Sequence, residues 1–181
     1  MTIDWNKYQA EALTTAFYPL ERELDYTILG LCSEVADVAE LVWVFTLPSP
    51  ELKSELGDCF WYVAAVADAV HEPLQQVWDT RDEARYENHN YGDVTGFLTA
   101  ELVVQSGRLA GLLKNSIRDD EGVVSPQRRA SMIASLAAVM VLLDKLSEAV
   151  DTTSHAVTQA NLNKLADRKQ RGVRRGSGDN R

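Results

Sequence analysis

Apolar residues recur along this chain at intervals of three and four positions, which is the period of an amphipathic α-helix. No run alternates apolar and polar residues between turn residues in the manner of a strand. Asp4 and Ser49 stand where N-caps are expected, Pro50 fits the first position of a helix, and residues 88–93 form a connector. The pattern predicts an all-α fold with seven helices, over residues 4–17, 23–46, 50–70, 73–88, 94–118, 126–150 and 152–169.

Two of the predicted helices each carry a pair of acids three residues apart. Glu34 and Asp37 lie in the second helix, and Glu55 and Asp58 lie in the third. Side chains at this spacing share one face of a helix. The segment Leu47-Pro48-Ser49-Pro50 forms a turn between the two helices, so we expect an antiparallel hairpin in which the acidic faces can meet.

Four carboxylates in one pocket would raise one another's pKa values unless a cation neutralised them. Mg²⁺ prefers oxygen ligands and keeps waters that phosphate oxygens can replace. The pattern therefore predicts a Mg²⁺ or Mn²⁺ site for a phosphorylated substrate. The alternative is two amphipathic helices whose acids point to water. The neighbouring residues Gly57, Cys59 and Trp61 make this segment strongly apolar, where solvated charge is less expected.

Length and composition favour a soluble protein. A chain of 181 residues with 45% hydrophobic residues can bury a core as one domain or as two small packed halves. Its longest apolar runs, residues 59–67 and 134–143, are shorter than the ~20 residues of a membrane span, and its first residues do not form a leader. We expect a cytoplasmic protein with no membrane partner and with Cys32 and Cys59 reduced.

Charge is distributed unevenly along the chain. The formal net charge of −9 argues against a nucleic-acid partner, but residues 161–181 carry +5 and residues 1–160 carry −14. An acidic body that binds a polyanion needs metal ions and nearby basic groups, which the C-terminal segment can supply. A solvated basic tail is the alternative that charge alone leaves open.

The sequence also contains an internal repeat. A shift of 80 positions aligns residues 56–92 with 136–172, and a shift of 71 aligns residues 38–42 with 109–113. This predicts two copies of one helical unit, over residues 1–92 and 93–181, packed as an intrachain pseudo-dimer. Where the first copy has its four acids, the second has Gln105, Arg108, Ser135 and Ala138. A register four residues away would instead pair Glu34 with Glu101.

Motifs at both ends of the chain resemble those of the MazG-like nucleoside triphosphate pyrophosphohydrolases. The N-terminal motifs are Tyr8-Gln9, Tyr18-Pro19, Gly30-Leu31, Glu34-x-x-Asp37-Val38-Ala39-Glu40 and Glu55-Leu56-Gly57-Asp58 with Trp61-Tyr62. The C-terminal motifs, similar to those of small phage-type members, are Asn161-Leu162-x-Lys164-Leu165-x-x-Arg168 and residues 176–181. Together they cover about half of the chain.

The resemblance implies an all-α fold related to the dimeric dUTPases, and hydrolysis of a (deoxy)nucleoside triphosphate to the monophosphate and pyrophosphate. It also implies residue roles. The metal ligands would be Glu34, Asp37, Glu55 and Asp58, with Glu55 or Glu34 as the general base. The phosphate contacts would be Asn161, Lys164 and Arg168. Apart from the resemblance, Gln9, Trp61 and Tyr62 are candidates for contacts with the base, whose identity stays open. The alternative for the two aromatic residues is a place in the core.

The chain departs from the family pattern in two ways. Asp37 stands where many relatives have glutamate, and a second copy without the acids precedes the Asn161 motif. We expect one half to supply metal ligands and the other to supply phosphate contacts, with a homodimer of such chains left open. The alternative function is a catalytically silent nucleotide-binding or interaction module. A di-iron bundle would need Glu-x-x-His pairs, and Asp68-x-x-His71 is the closest match.

Overall fold

The computed structural model describes residues 3–44, 49–86 and 93–172. The regular secondary structure of these residues is entirely helical, which confirms the predicted all-α fold. It consists of α1 (Trp5–Leu13), α2 (Glu23–Val44), α3 (Pro50–Ala69), α4 (Leu74–Asp79), α5 (Val94–Asp119), α6 (Pro126–Ala149) and α7 (Ser154–Arg171). Two short 3₁₀ helices, Leu20–Arg22 and Ala84–Tyr86, lie in the connections.

Side-chain caps begin the helices where the sequence predicts them. The Asp4 carboxylate accepts the backbone N–H of Lys7 at 2.9 Å and caps α1. The Ser49 hydroxyl accepts the N–H of Leu52 at 3.1 Å, and Pro50 is the first residue of α3. Each cap satisfies one of the donors that the first turn of a helix leaves without an intrahelical partner. Both capping predictions are confirmed.

Two helices are shorter in the structure than the sequence predicts. α1 ends at Leu13, and the Thr14 hydroxyl then donates to the carbonyl of Glu11 at 2.8 Å. The helix predicted over residues 73–88 stops at Asp79, where the Thr80 hydroxyl donates to the carbonyl of Val77 at 2.8 Å. Threonine hydroxyls compete in this way with backbone N–H groups for the carbonyls of the last helical turn.

Several predicted features lie outside the described residues. These are residues 45–46 of the second helix, the Leu47-Pro48 half of the turn, residues 87–88 of the fourth helix, residues 88–92 of the connector, and the C-terminal motif 176–181 with Arg174 and Arg175.

The helices pack as two hairpins. α2 packs against α3, α5 packs against α6, and the hairpins meet through contacts of α2 with α5 and of α3 with α6. α7 packs mainly on α3, and α4 packs mainly on α6. The core between the hairpins contains the fully buried side chains of Leu56, Phe60, Leu136 and Met140. Burial of this apolar surface is the main driving force for folding.

α6 is the one helix in the described part of the chain that is long and apolar enough to cross a membrane. Length and composition are the only basis for that statement, and 61% of its most apolar window is buried inside the molecule. Buried core helices of soluble proteins share both properties.

Candidate metal and nucleotide site

Three acids from α2 and α3 converge where the two helices pack. Carboxylate oxygens of Glu34, Asp37 and Glu55 lie within 4.8 Å of one another, and these residues are called the acidic cluster below. Gly30 makes the close approach of α2 to α3 possible, because a Cβ at this position would lie 2.1 Å from the ring of Tyr62. The predicted meeting of the two acidic faces is therefore observed for three of the four acids.

Burial and mutual repulsion raise the pKa of Glu34 to about 8. Desolvation is the largest cause, followed by the negative charges of Asp58 and Glu55 and by a hydrogen bond to Glu55. The pKa of the exposed Asp37 is also raised, first by desolvation and then by the charge of Glu40. Without a cation, Glu34 therefore carries a proton at neutral pH.

The acidic cluster fits a divalent cation. All three groups offer the hard oxygen donors that Mg²⁺ prefers. Their oxygens lie within 4.8 Å of one another, which is close enough for these three side chains to hold one ion together. A cation would also replace the proton that Glu34 otherwise needs.

Asp58 lies between the acidic cluster and α7. Its Oδ1 accepts a hydrogen bond from Nδ2 of Asn161, and its Oδ2 accepts one from Nζ of Lys164, each at 2.6 Å. The Lys164 ammonium also donates to the Ser54 hydroxyl at 2.8 Å. Gly57 permits this contact, since a Cβ there would lie 2.9 Å from Cβ of Asn161. The structure thus groups Asp58 with basic and amide side chains, and its role as a fourth metal ligand stays a prediction.

A cavity of about 150 Å³, the aromatic cavity, opens beside Glu34 and Asp58. Trp61 and the buried Arg168 line it, so two further predicted residues lie at the site. The Trp61 indole donates to the carbonyl of Ala12 at 3.0 Å, which fixes its ring. The cavity is also lined by Tyr18, Tyr26 and Tyr62.

Sequence reasoning missed three aromatic members of this cavity wall, Phe17, Tyr18 and Tyr26. The rings of Tyr18 and Tyr26 lie 5.0 Å apart. A signal was present for Tyr18, which belongs to the Tyr18-Pro19 motif. Tyr26 lies one helical turn before Gly30 and so faces the same side of α2, but this requires knowing which face of α2 meets α3.

A groove of about 380 Å³, the first groove, lies between α3 and α7. Lys53, Ser54, Asn161 and Lys164 line it together with apolar residues. The amide oxygen of Asn161 is buried and has no hydrogen-bond partner among the described residues. Because Asp58 lines the aromatic cavity and its two partners line the first groove, this hydrogen-bonded group separates the two spaces.

Gln9, predicted as a contact with the base, is not brought to this site. Its buried amide donates to the carbonyls of Ala64 and Glu72, at 3.3 and 3.2 Å, and accepts the N–H of Leu74 at 2.9 Å. These bonds tie α1 to the C-terminal half of α3 and to the start of α4. Both polar atoms of the Gln9 side chain are thus hydrogen-bonded to backbone groups, which gives this residue a structural role.

The fold and the site define an all-α protein with a carboxylate cluster bordered by cationic side chains. No protein-family model and no solved structure matches the chain. It is 42% identical over 85 residues to the Gene 37 protein of Mycobacterium phage L5, and the aligned part makes up 47% of this chain and 75% of the phage protein. The chain therefore belongs to the family of this phage protein, whose name states no activity.

Proposed function

We propose that this protein hydrolyses a (deoxy)nucleoside triphosphate to the monophosphate and pyrophosphate. The observation that carries the proposal is the opposition of two groups of charge. Three carboxylates lie within 4.8 Å of one another on α2 and α3, and the Lys164 ammonium of α7 is bonded to Asp58, whose charge acts on Glu34. Metal-bridged phosphates need this combination of oxygen ligands and cationic side chains.

Glu34, Asp37 and Glu55 would hold Mg²⁺ or Mn²⁺, with Asp58 as a possible fourth ligand in line with the family resemblance. When bound, the ion would supply charge neutralisation and would lower the pKa of a coordinated water. Lys164 and Arg168 would bind phosphate oxygens, and Asn161 would orient Asp58 through its 2.6 Å hydrogen bond. Trp61 would contact the base in the aromatic cavity.

Water would attack the α-phosphorus, and pyrophosphate would leave with the bridging oxygen. Glu55 or Glu34 would accept the proton of the attacking water. A carboxylate placed beside the attacking water is a common general base in hydrolysis. We place this reaction in the cytoplasm, where nucleoside triphosphates are found.

We also propose that residues 1–92 and 93–181 are two copies of one unit, packed as a pseudo-dimer. Two structural details at an offset of 80 support this. His71 and Asp151 both follow a helix C-cap and have positive φ, 57° and 54°. The next N–H groups, of Glu72 and Thr152, bond to the carbonyls of Ala67 and Ser147 at 2.8 and 3.0 Å. α4, from residues 1–92, packs mainly on α6, and α7, from residues 93–181, packs mainly on α3. This packing of each short helix on the other hairpin agrees with a pseudo-dimer.

The test is a product assay with each of the common dNTPs and NTPs in the presence of Mg²⁺. We expect nucleoside monophosphate and pyrophosphate in equal amounts from at least one substrate. Glu55→Gln should abolish the activity, and Glu51→Gln, which changes an exposed acid one turn earlier on α3, should retain it. If folded, magnesium-loaded protein turns over none of the triphosphates, hydrolysis is rejected, and a silent nucleotide-binding module becomes the better description.

A further inference from the structure

A second groove, of about 550 Å³, lies between α6 and residues 80–86. Its lining corresponds to that of the first groove at an offset of 80 positions, which is the offset of the internal repeat. The corresponding pairs are Pro50 and Ala130, Lys53 and Ile133, Ser54 and Ala134, Thr152 and Glu72, and Ala160 and Thr80. Two binding-sized spaces are thus formed by equivalent positions of the two halves.

Two further residues of the second groove, Ala138 and Arg85, correspond to two residues of the aromatic cavity, Asp58 and Leu165. In the first half, Asp58 and Lys164 form the partition between cavity and groove. In the second half these positions are alanines, Ala138 and Ala84, which cannot form such a partition. The second groove has a larger volume than the first groove or the aromatic cavity.

The second groove lacks the means to hold a catalytic metal ion. The counterparts of Glu55 and Asp58 are Ser135 and Ala138, which offer no carboxylate. Among the residues that the structure describes, the charged side chains that line the groove are Arg85, Arg129, Glu72 and Asp82, and their formal charges cancel. Arg129 is bonded to Glu72 and to the carbonyls of Val70 and His71. Without a metal ion, a lining of zero net charge cannot balance the charge of a triphosphate.

The remaining chemistry of the groove fits a nucleotide with little charge. Four alanines and Ile133 give α6 a smooth apolar surface against which a planar ring can lie. Tyr86, which is buried, borders this surface. Arg85 offers a cation for one phosphate, and Asp82 offers oxygens that accept hydrogen bonds from sugar hydroxyls or base N–H groups.

We propose that the second groove is a metal-independent binding site for a nucleoside monophosphate, an inference that rests on the proposed function for its choice of ligand. Because the groove lacks the acidic cluster, the bound nucleotide stays intact. The chain then has one site that cleaves a triphosphate with metal ions and a second site that holds the monophosphate without them.

Calorimetric titration in EDTA with each of the common NMPs and dNMPs tests this site. We expect one equivalent of at least one monophosphate to bind without divalent ions. Ala134→Leu, which places a larger side chain on an exposed position of the groove, and Arg85→Glu should each weaken binding at least tenfold. Lys164→Ala, in the first groove, is the matched control and should leave this binding unchanged.

Two outcomes would overturn the proposal. One is the absence of saturable binding of any monophosphate at millimolar concentration in EDTA. The other is binding that Lys164→Ala removes and that both second-groove variants retain, since this would place the nucleotide in the first groove. Circular dichroism of Ala134→Leu and Arg85→Glu shows whether a loss reflects unfolding. The magnesium-dependent product assay is independent, so failure of hydrolysis with binding intact rejects the proposed function alone.

Discussion

Five lining residues of the first groove and five of the second groove lie 80 positions apart in the sequence, but the side chains of the two grooves differ in kind. Lys164 and Asn161 line the first, and both are bonded to Asp58, which lines the neighbouring aromatic cavity together with Glu34. In the second, alanines occupy the positions of Asp58 and Lys164, and the space is open. The same helical scaffold thus supports two grooves of different chemistry. Asn161 and two lysines line the first, whereas two acids, two arginines and the alanines of α6 line the second. The chemistry of each groove depends on the few side chains that line it, because the backbone hydrogen bonds of a helix are made within the helix itself.

The largest effect is expected from breaking the acidic cluster. Glu55→Gln removes a charged metal ligand while keeping size and hydrogen bonding, so kcat for triphosphate hydrolysis should fall by about 100-fold or more, or about 3 kcal/mol. The matched change in the second half, Ser135→Ala, should alter kcat less than twofold. Steady-state kinetics with saturating Mg²⁺ measure both. Equal losses from the two variants would contradict a division of labour between the halves.

Removal of the ammonium beside Asp58 should have the next largest effect. Lys164→Ala takes away a 2.6 Å hydrogen bond to Asp58 and a cation for phosphate, so kcat/KM should fall by about 10- to 100-fold. Lys164→Arg should restore part of the rate because it keeps the charge. The reverse change in the second half, Ala84→Lys, should create no activity in a Glu55→Gln background. Wild-type kinetics for Lys164→Ala would show that α7 takes no part in turnover.

A third prediction concerns the packing of α7 on α3. Gly57→Ala places a methyl group 2.9 Å from Cβ of Asn161, so α7 must shift, at a cost of about 1–3 kcal/mol in the free energy of unfolding. The counterpart, Ala137→Gly, should cost about 1 kcal/mol, because glycine is a poorer helix former than alanine. Chemical denaturation compares the two variants. A stabilised Gly57→Ala protein would show that the contact is looser than described.

The smallest expected effect is a pH dependence of the free energy of unfolding. It should come from Glu34, in the first half of the chain. The pKa of Glu34 is about 8 in the folded protein, above its ordinary value of 4.5, so the folded state holds an extra proton between these pH values. Without divalent ions, the free energy of unfolding should therefore fall as pH rises from about 4.5 to about 8. After allowance for solvent screening, the change is on the order of 1 kcal/mol.

Two controls sharpen this last prediction. Glu34→Gln should flatten the dependence, because the side chain no longer titrates. Saturating Mg²⁺ should flatten it as well and should stabilise the protein most near pH 8, because the ion binds the deprotonated cluster. A stability curve in EDTA that rises over the same pH range would contradict the raised pKa of Glu34. Urea denaturation at fixed ionic strength provides the measurement.

Much of this architecture was predictable from local sequence. Asp4, Ser49 and Pro50 mark helix starts through hydrogen bonds within one turn, and their caps are confirmed. The meeting of Glu34 and Glu55 was also predictable, because periodicity gives each helix face and a short connection makes the two helices neighbours. Helix ends were predicted less well. The early stop at Asp79 depends on the Thr80 hydroxyl and on the packing of Arg81 over Trp78, at 4.3 Å.

The sequence by itself determined the helical fold, the acidic faces and the presence of Asn161 and Lys164 on a terminal helix, since each depends on spacing along one segment. Tertiary structure alone decided that Gln9 holds backbone groups and that Asp58 is bonded to α7. It also decided that residues 80 positions apart in the sequence line two separate grooves. These features depend on the distance between helices, which is set by the close approaches at Gly30 and Gly57 and which periodicity does not encode.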